Sequence, residues 1–184
     1  MTREEALSLL KLYLSRPGLL KHSLAVEAAM RSLAKHFQED EEKWGLTGLL
    51  HDIDYEKVKG DPAQHSLVGA QILAEAGLEE EIVEAVKRHN EFHQLPPESL
   101  MAKALFVLDP LTGLIVANTL VLPSRKIDSL TVASVLKHFQ QPSFAQGAKR
   151  EIIAQCEEFL HLPLEEFVEI VLKSMQAINE ELGL

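Results

Sequence analysis

The chain is 184 residues long with a formal net charge of −10. That size suits one domain with a sizeable core, and the acidic balance argues against a nucleic-acid duplex as partner, since neutralising phosphates needs a basic face. The single cysteine, Cys156, excludes an internal disulfide and, with a charged start that does not read as an export leader, points to a cytoplasmic chain.

Abundant Leu, Ala, Val and Glu, without period-two runs, predict helix throughout. The first helix is expected from about Arg3 to Ser15, ending before Pro17-Gly18, and the second from about Leu19 to Phe37, with His22 near its start. A third, from about Glu41, packs Leu46, Leu49, Leu50 and Ile53 and delivers His51-Asp52 at its C-terminal end. Asp61-Pro62 reads as N-cap and first residue of a helix to Ala76 that closes at Gly77, with His65 in its first turn. Another runs from about Glu79 to Asn90, and one more from Glu98 to Asp109 after Pro96-Pro97. The loop between them, with His93 and Gln94, is expected to border the site.

Beyond Asp109 the pattern predicts a short buried helix to about Leu120 and a break at Leu122-Pro123-Ser124. A capped helix from Asp128-Ser129 to Phe139 follows, then two longer ones, about Ser143 to Leu160 and Pro163 to Leu182. The apolar stretch Leu111–Leu122 is too short for a bilayer and carries Asn118, so no membrane partner is expected. The expected architecture is an all-α, compact single-domain helical bundle over residues 1–184. Its motif-bearing core lies at about 20–120, and C-terminal helices at about 128–184 pack on it.

Several polar residues fall on apolar helical stripes. His22 shares a face with Val26 and Ala29, His65 with Gly69 and Ile72, and His89 with Ile82 and Val86, while Asp109 continues the row of Ala102 and Leu105. Any one buried histidine is ordinarily satisfied by a backbone carbonyl. As a set, with His51-Asp52, they are costly to bury unless a cation is shared among them. Asp109, in Ala-Leu-Phe-Val-Leu-Asp-Pro, is the hardest to explain otherwise. Imidazole and carboxylate donors without thiolate suit Fe, Mn, Zn, Ni or Mg. The candidate donors exceed the three or four usual for one catalytic zinc, so one or two divalent ions are expected.

The order His22, Leu-Leu-His51-Asp52-Ile-Asp, His65-Ser-Leu-Val-Gly-Ala, Arg88-His89-Asn and Asp109 resembles the HD-domain superfamily of metal-dependent phosphohydrolases over roughly residues 20–120. With Leu-Thr-Gly-Leu-Ile-Val-Ala-Asn after Asp109, it is similar to an uncharacterised bacterial HD/HDIG-type branch. The resemblance implies His22, His51, Asp52 and Asp109 as the ligand core for one metal, with His65 and His89 joining where a second is held and Asp52 bridging. It further implies cleavage of a phosphoester or phosphoanhydride of a small phosphorylated molecule, a nucleotide for preference, by a metal-activated hydroxide. Asp52 and Asp54 are the catalytic candidates, and Asp54 reads equally well as a loop cap.

The same ligand set also resembles di-iron oxygenases of the superfamily. A non-catalytic module that binds a phosphorylated ligand and a purely structural metal are further alternatives. The Gly-Tyr-Pro signature of the cyclic-dinucleotide phosphodiesterase branch is absent, and Pro-Leu-Thr follows Asp109 where some dimetal members carry a basic residue. Substrate phosphate is assigned to Arg88, Arg125 and Lys126, with Lys149 and Arg150 as further candidates. Cys156 beside Glu157 and Glu158, and His36, His138 and His161 near helix ends, are assigned no chemistry. The oligomeric state is left open.

Overall fold

A computed structural model describes residues 1–184; the chain is helical throughout, with no strand. α1 (Arg3–Tyr13) starts at a capping box formed by Thr2 and Glu5, and α2 (Pro17–Phe37) has Pro17 in its first turn. α3 (Glu41–Leu50) starts where the Asp40 carboxylate accepts the amides of Glu42 and Lys43. α4 (Leu67–Glu75), α5 (Glu80–Arg88) and a 3₁₀ turn at Glu91–His93 lead to the long α6 (Leu100–Val121). A second 3₁₀ turn, Ile127–Ser129, precedes α7 (Val132–Phe139), α8 (Arg150–Ile153), α9 (Cys156–Leu160), α10 (Leu164–Gln176) and α11 (Asn179–Leu182).

α6 is the axis of the molecule. It packs against α2, α5, α7, α8, α9 and α10, and its residues join one core cluster that reaches from Ala6 to Leu182. It is long and apolar enough to cross a membrane, but here it is the central core helix. The sequence reading places a helix end at Asp109 and a new helix after it; instead, Pro110 lies inside one continuous helix. Proline in a helix interior costs about 3 kcal/mol, and burial of Leu105, Leu108, Leu111, Leu114 and Ile115 along the same element outweighs it.

α2 and α3 lie in close contact. A methyl group at Gly48 would come within 2.8 Å of the Val26 carbonyl oxygen and 3.0 Å of the Glu27 Cα, so the backbones meet there only because the residue is glycine. That contact brings the C-terminal end of α3 beside the first turns of α2.

Four further departures from the expected elements share one cause, the diversion of backbone groups to side chains. α1 ends at Tyr13 rather than Ser15 because the amides of Ser15 and Arg16 are taken by the Glu56 carboxylate. Residues 62–66 form turns, and helix begins only at Leu67. The Pro62 carbonyl accepts from the Asn90 side-chain amide, and the Ser66 amide donates to Asp54 rather than back along a helix. Helix α7 starts at Val132, not Asp128, because Gln176 takes the carbonyls of Ile127 and Leu130 and Thr131 provides the cap.

The expected helix from Ser143 to Leu160 is reduced to α8 and α9. Residues 141–149 form instead a strap whose carbonyls converge on one guanidinium: Arg150 donates to the carbonyls of His138, Gln141, Phe144, Ala145 and Ala148. The last expected helix, Pro163 to Leu182, is interrupted at Ala177 and Ile178, between α10 and α11.

Candidate metal centre

Five segments converge beside the middle of α6: the start of α2 with His22, the end of α3 with His51 and Asp52, the turn before α4 with His65, the end of α5 with His89, and α6 itself with Asp109. Each of the four imidazoles has its Nδ1 engaged by an acceptor behind it. His51 donates to the Gly48 carbonyl at 2.8 Å and His89 to the Val86 carbonyl at 2.6 Å. His65 faces the Asp54 carboxylate at 2.9 Å. His22 lies 3.3 Å from the Thr112 hydroxyl, which itself donates to the Asp109 carbonyl, so Nδ1 is the donor here too. With that tautomer fixed, every neutral imidazole presents an Nε2 lone pair, as a metal-ligating histidine requires.

Those Nε2 atoms meet around two carboxylates. His22 Nε2 is 2.9 Å from Asp109 Oδ1, 3.2 Å from His51 Nε2 and 3.6 Å from Asp52 Oδ2. Asp52 Oδ1 lies 3.4, 3.3 and 3.5 Å from the Nε2 atoms of His51, His65 and His89. Two triads result, His22–His51–Asp109 and His51–Asp52–His89, and the ligand atoms within each lie no more than 4.8 Å apart. His89 Nε2 is buried without any hydrogen-bond partner, an arrangement that costs free energy unless something else occupies the position. Donor type, spacing and this orphaned nitrogen all fit a divalent cation.

The electrostatics agree. Burial opposes the charged form of His51, yet the charge of Asp52, the hydrogen bond and charge of Asp109 and the Gly48 carbonyl push it up to about 9. Burial likewise opposes ionisation of Asp52 and Asp109, but the neighbouring histidines hold both well below the usual carboxylate range. His65 is raised, its burial outweighed by Asp54 and Asp52. The negative charge around His51 and His65 thus favours a proton on each of these two rings, the same charge that would attract a cation.

Asp54 is fully buried and accepts from the amides of Ser66 and Gly69, both at 2.8 Å, as well as from His65. It reaches the cluster through His65. Aiming the Ser66 amide at Asp54 holds Ser66 at φ +71°, a strained conformation for a residue with a side chain, and a methyl group at Gly69 would press on the carboxylate at 3.3 Å.

The basic candidates lie elsewhere. Arg88 is engaged by Glu84 at 3.0 Å, Glu98 at 2.9 Å and the Pro96 carbonyl at 2.8 Å, tying α5 to the loop before α6. Arg125 and Lys126 are exposed beyond the end of α6 at Val121, and that end is itself roughly 18 Å along the helix from Asp109 at 1.5 Å per residue. Arg150 is occupied by the strap.

Lys149, by contrast, lines a cavity of about 360 Å³ that opens over His22, His89 and Asp109. Sequence reasoning missed two supports. Thr112, one helical turn after Asp109, was detectable by its i+3 spacing. Asn90, whose amide donates to the carbonyls of Pro62 and His65, depends on a contact between segments far apart in the chain. His93, set in a 3₁₀ turn, donates from Nε2 to the His65 carbonyl.

A helical bundle with histidine and aspartate side chains gathered beside the middle of a core helix defines a class of metal-site proteins. The HD domain family model matches residues 19–114, and the chain belongs to that family. The HD superfamily is generally one of metal-dependent phosphohydrolases, and the domain implies divalent-metal binding.

An uncharacterised protein of Methanocaldococcus jannaschii is 38% identical over 94 residues, 48% of this chain and 54% of that one. Ribonuclease Y of Oleidesulfovibrio alaskensis is 30% identical over 96 residues, 52% of this chain but 18% of the enzyme. Ribonuclease Y of Lawsonia intracellularis is 30% identical with the same coverage. The chain thus spans about half the length of the first relative and under a fifth of the other two. No solved structure matches it.

Proposed function

We propose that the chain hydrolyses a phosphoester or phosphoanhydride of a small phosphorylated molecule, a nucleotide for preference, at one or two divalent ions held by His22, His51, Asp52, His65, His89 and Asp109. The observation that carries this reading is the convergence of four Nε2 atoms on two carboxylates while every Nδ1 is engaged from behind. Bound divalent ions would supply Lewis-acid charge to a phosphoryl oxygen and a lowered pKa to water.

The chain's own groups do the rest. Asp52 has Oδ1 toward His51, His65 and His89 and Oδ2 toward His22, and would be the ligand shared between ions where two are held. Asp54 keeps His65 in register rather than touching the reacting atoms. The cavity of about 360 Å³ is of the size that holds a small ligand, which favours a nucleotide-sized substrate over a polymer. The name ribonuclease Y among the relatives is in keeping with phosphodiester chemistry. A cytoplasmic setting goes with this reading, since the single cysteine, Cys156, leaves no internal disulfide for an oxidising compartment to form.

The test is metal analysis of untagged protein, followed on the same sample by phosphate release from a nucleotide and phosphomonoester panel. About two equivalents of metal with substrate-dependent release is the expected result. Asp52→Ala should lose metal and at least ~100-fold of the rate, given the charge it contributes beside the ions. Equal turnover in the variant and the wild type, or no metal under replete conditions, would refute the reading.

A further inference from the structure

The cavity over the metal centre has one cation in its wall, Lys149, and this is paired with Glu91 of the 3₁₀ turn that follows His89. Much of the rest of the wall is apolar or small, including Phe106, Gly113, Ala148 and Ile152. A second anionic group entering beside the metal centre therefore has one side chain to meet.

Two features of the strap bear on why that lysine is there. Its backbone is over-determined: Arg150 holds carbonyls on both sides of the bend. Ala145 is kept at φ +44°, a left-handed conformation unfavourable for alanine, with its carbonyl bound to that guanidinium. The ion pair at the end of the strap is the opposite, since the Lys149 and Glu91 side chains are 44% and 39% exposed, and pairs so open to water contribute little and exchange readily. A rigid scaffold thus presents a weakly held ammonium to the cavity. A phosphate oxygen beside it would make a stronger charge-assisted bond than the solvated carboxylate does.

We propose that the Glu91 carboxylate is a stand-in for an anionic group of the substrate, and that Lys149 forms a phosphate subsite next to the position cleaved. The proposal rests on the phosphohydrolase reading and narrows its substrate class to molecules with a second phosphoryl group beside the scissile one. Arg150 is a positioning residue for this subsite. Entry of the substrate displaces Glu91 by side-chain rotation and leaves the strap in place.

The experiment is calorimetric titration of the metal-loaded chain with methylenediphosphonate and with methylphosphonate, non-hydrolysable probes of two phosphoryl groups and of one. Metal content is checked after each run. The wild type should prefer the diphosphonate by about tenfold or more, as expected for one added charge-assisted contact. Lys149→Met should abolish that preference, Lys149→Arg should keep most of it, and Glu91→Gln should increase it several-fold by removing the competing carboxylate.

The opposite signs of the Lys149→Met and Glu91→Gln effects are the signature. A preference that survives Lys149→Met, or that Glu91→Gln weakens, overturns the subsite. Because binding is read without turnover, a preserved signature with no phosphate release from any substrate would count against hydrolysis while leaving the subsite standing.

Discussion

At the scale of single residues, the histidines were legible because each breaks an apolar stripe, a defect that a sequence displays without any knowledge of tertiary contacts. Their orientation was not. Which nitrogen points inward depends on acceptors at Gly48, Val86, Asp54 and Thr112, and only the first two lie at a fixed local spacing, three residues before His51 and His89. Glu56 shows the same limit, since its partners Ser15 and Arg16 are 41 and 40 residues away.

The amides of Arg16 and Ser15 draw the Glu56 carboxyl down to about 2. A depressed folded-state pKa means that the stabilisation is present above the unfolded value, about 4.3, and is lost as pH falls from there through about 2. Glu56→Gln is therefore expected to melt below the wild type at neutral pH, with the gap closing as the pH is lowered over that window. Melting curves at several pH values check this, and a gap that does not change with pH would rule out the charge as its origin.

At the scale of elements, the existence and order of α2, α3 and α5 were readable from prolines and hydrophobic spacing, although Pro17, read as the break after α1, opens α2. The failures occurred where a side chain claims backbone groups that a helix would use internally, from nearby in the chain as Arg150 does or from a distant segment as Asn90 does. Pro110 is the converse case, in which packing along α6 carries the helix across a residue that ordinarily ends one.

Glycines make the element-level argument testable. Gly48→Ala gains up to about 1 kcal/mol in helix propensity but places a methyl group 2.8 Å from the backbone of α2. Overpacking of this kind typically costs about 1–3 kcal/mol, so a net loss of stability is expected, with weaker metal binding as the end of α3 shifts. At Gly113, where an added methyl group meets nothing within 4 Å, alanine should be neutral or stabilising by up to about 1 kcal/mol. Denaturant unfolding of the two variants checks the contrast, and a stabilised Gly48→Ala would remove the steric account of the α2–α3 contact.

At the scale of the whole molecule, the six candidate ligands come from five segments spread from residue 22 to residue 109, and they meet only when α2, α3, α5 and α6 are docked together. The family and the all-helical architecture were legible from the order of motifs and the helical periodicity alone. The cavity was not, because its wall is completed by the strap at residues 141–149, whose path no local signal announces. A cation bound by the folded state alone stabilises it in proportion to the logarithm of its concentration over Kd, about 2.7 kcal/mol at a hundredfold excess. Chelation should accordingly lower the melting temperature by several degrees and re-addition should restore it. A melting temperature indifferent to chelator would mean that the cluster holds no ion in the folded protein.

The acceptors behind the imidazoles differ in one respect: those at His22, His51 and His89 are neutral oxygens, whereas the one at His65 is the carboxylate of Asp54. Negative charge behind a ring makes its far nitrogen the more generous electron donor. The four rings are thus unlike as donors, and any cation that His65 helps to hold would meet its strongest imidazole donor there.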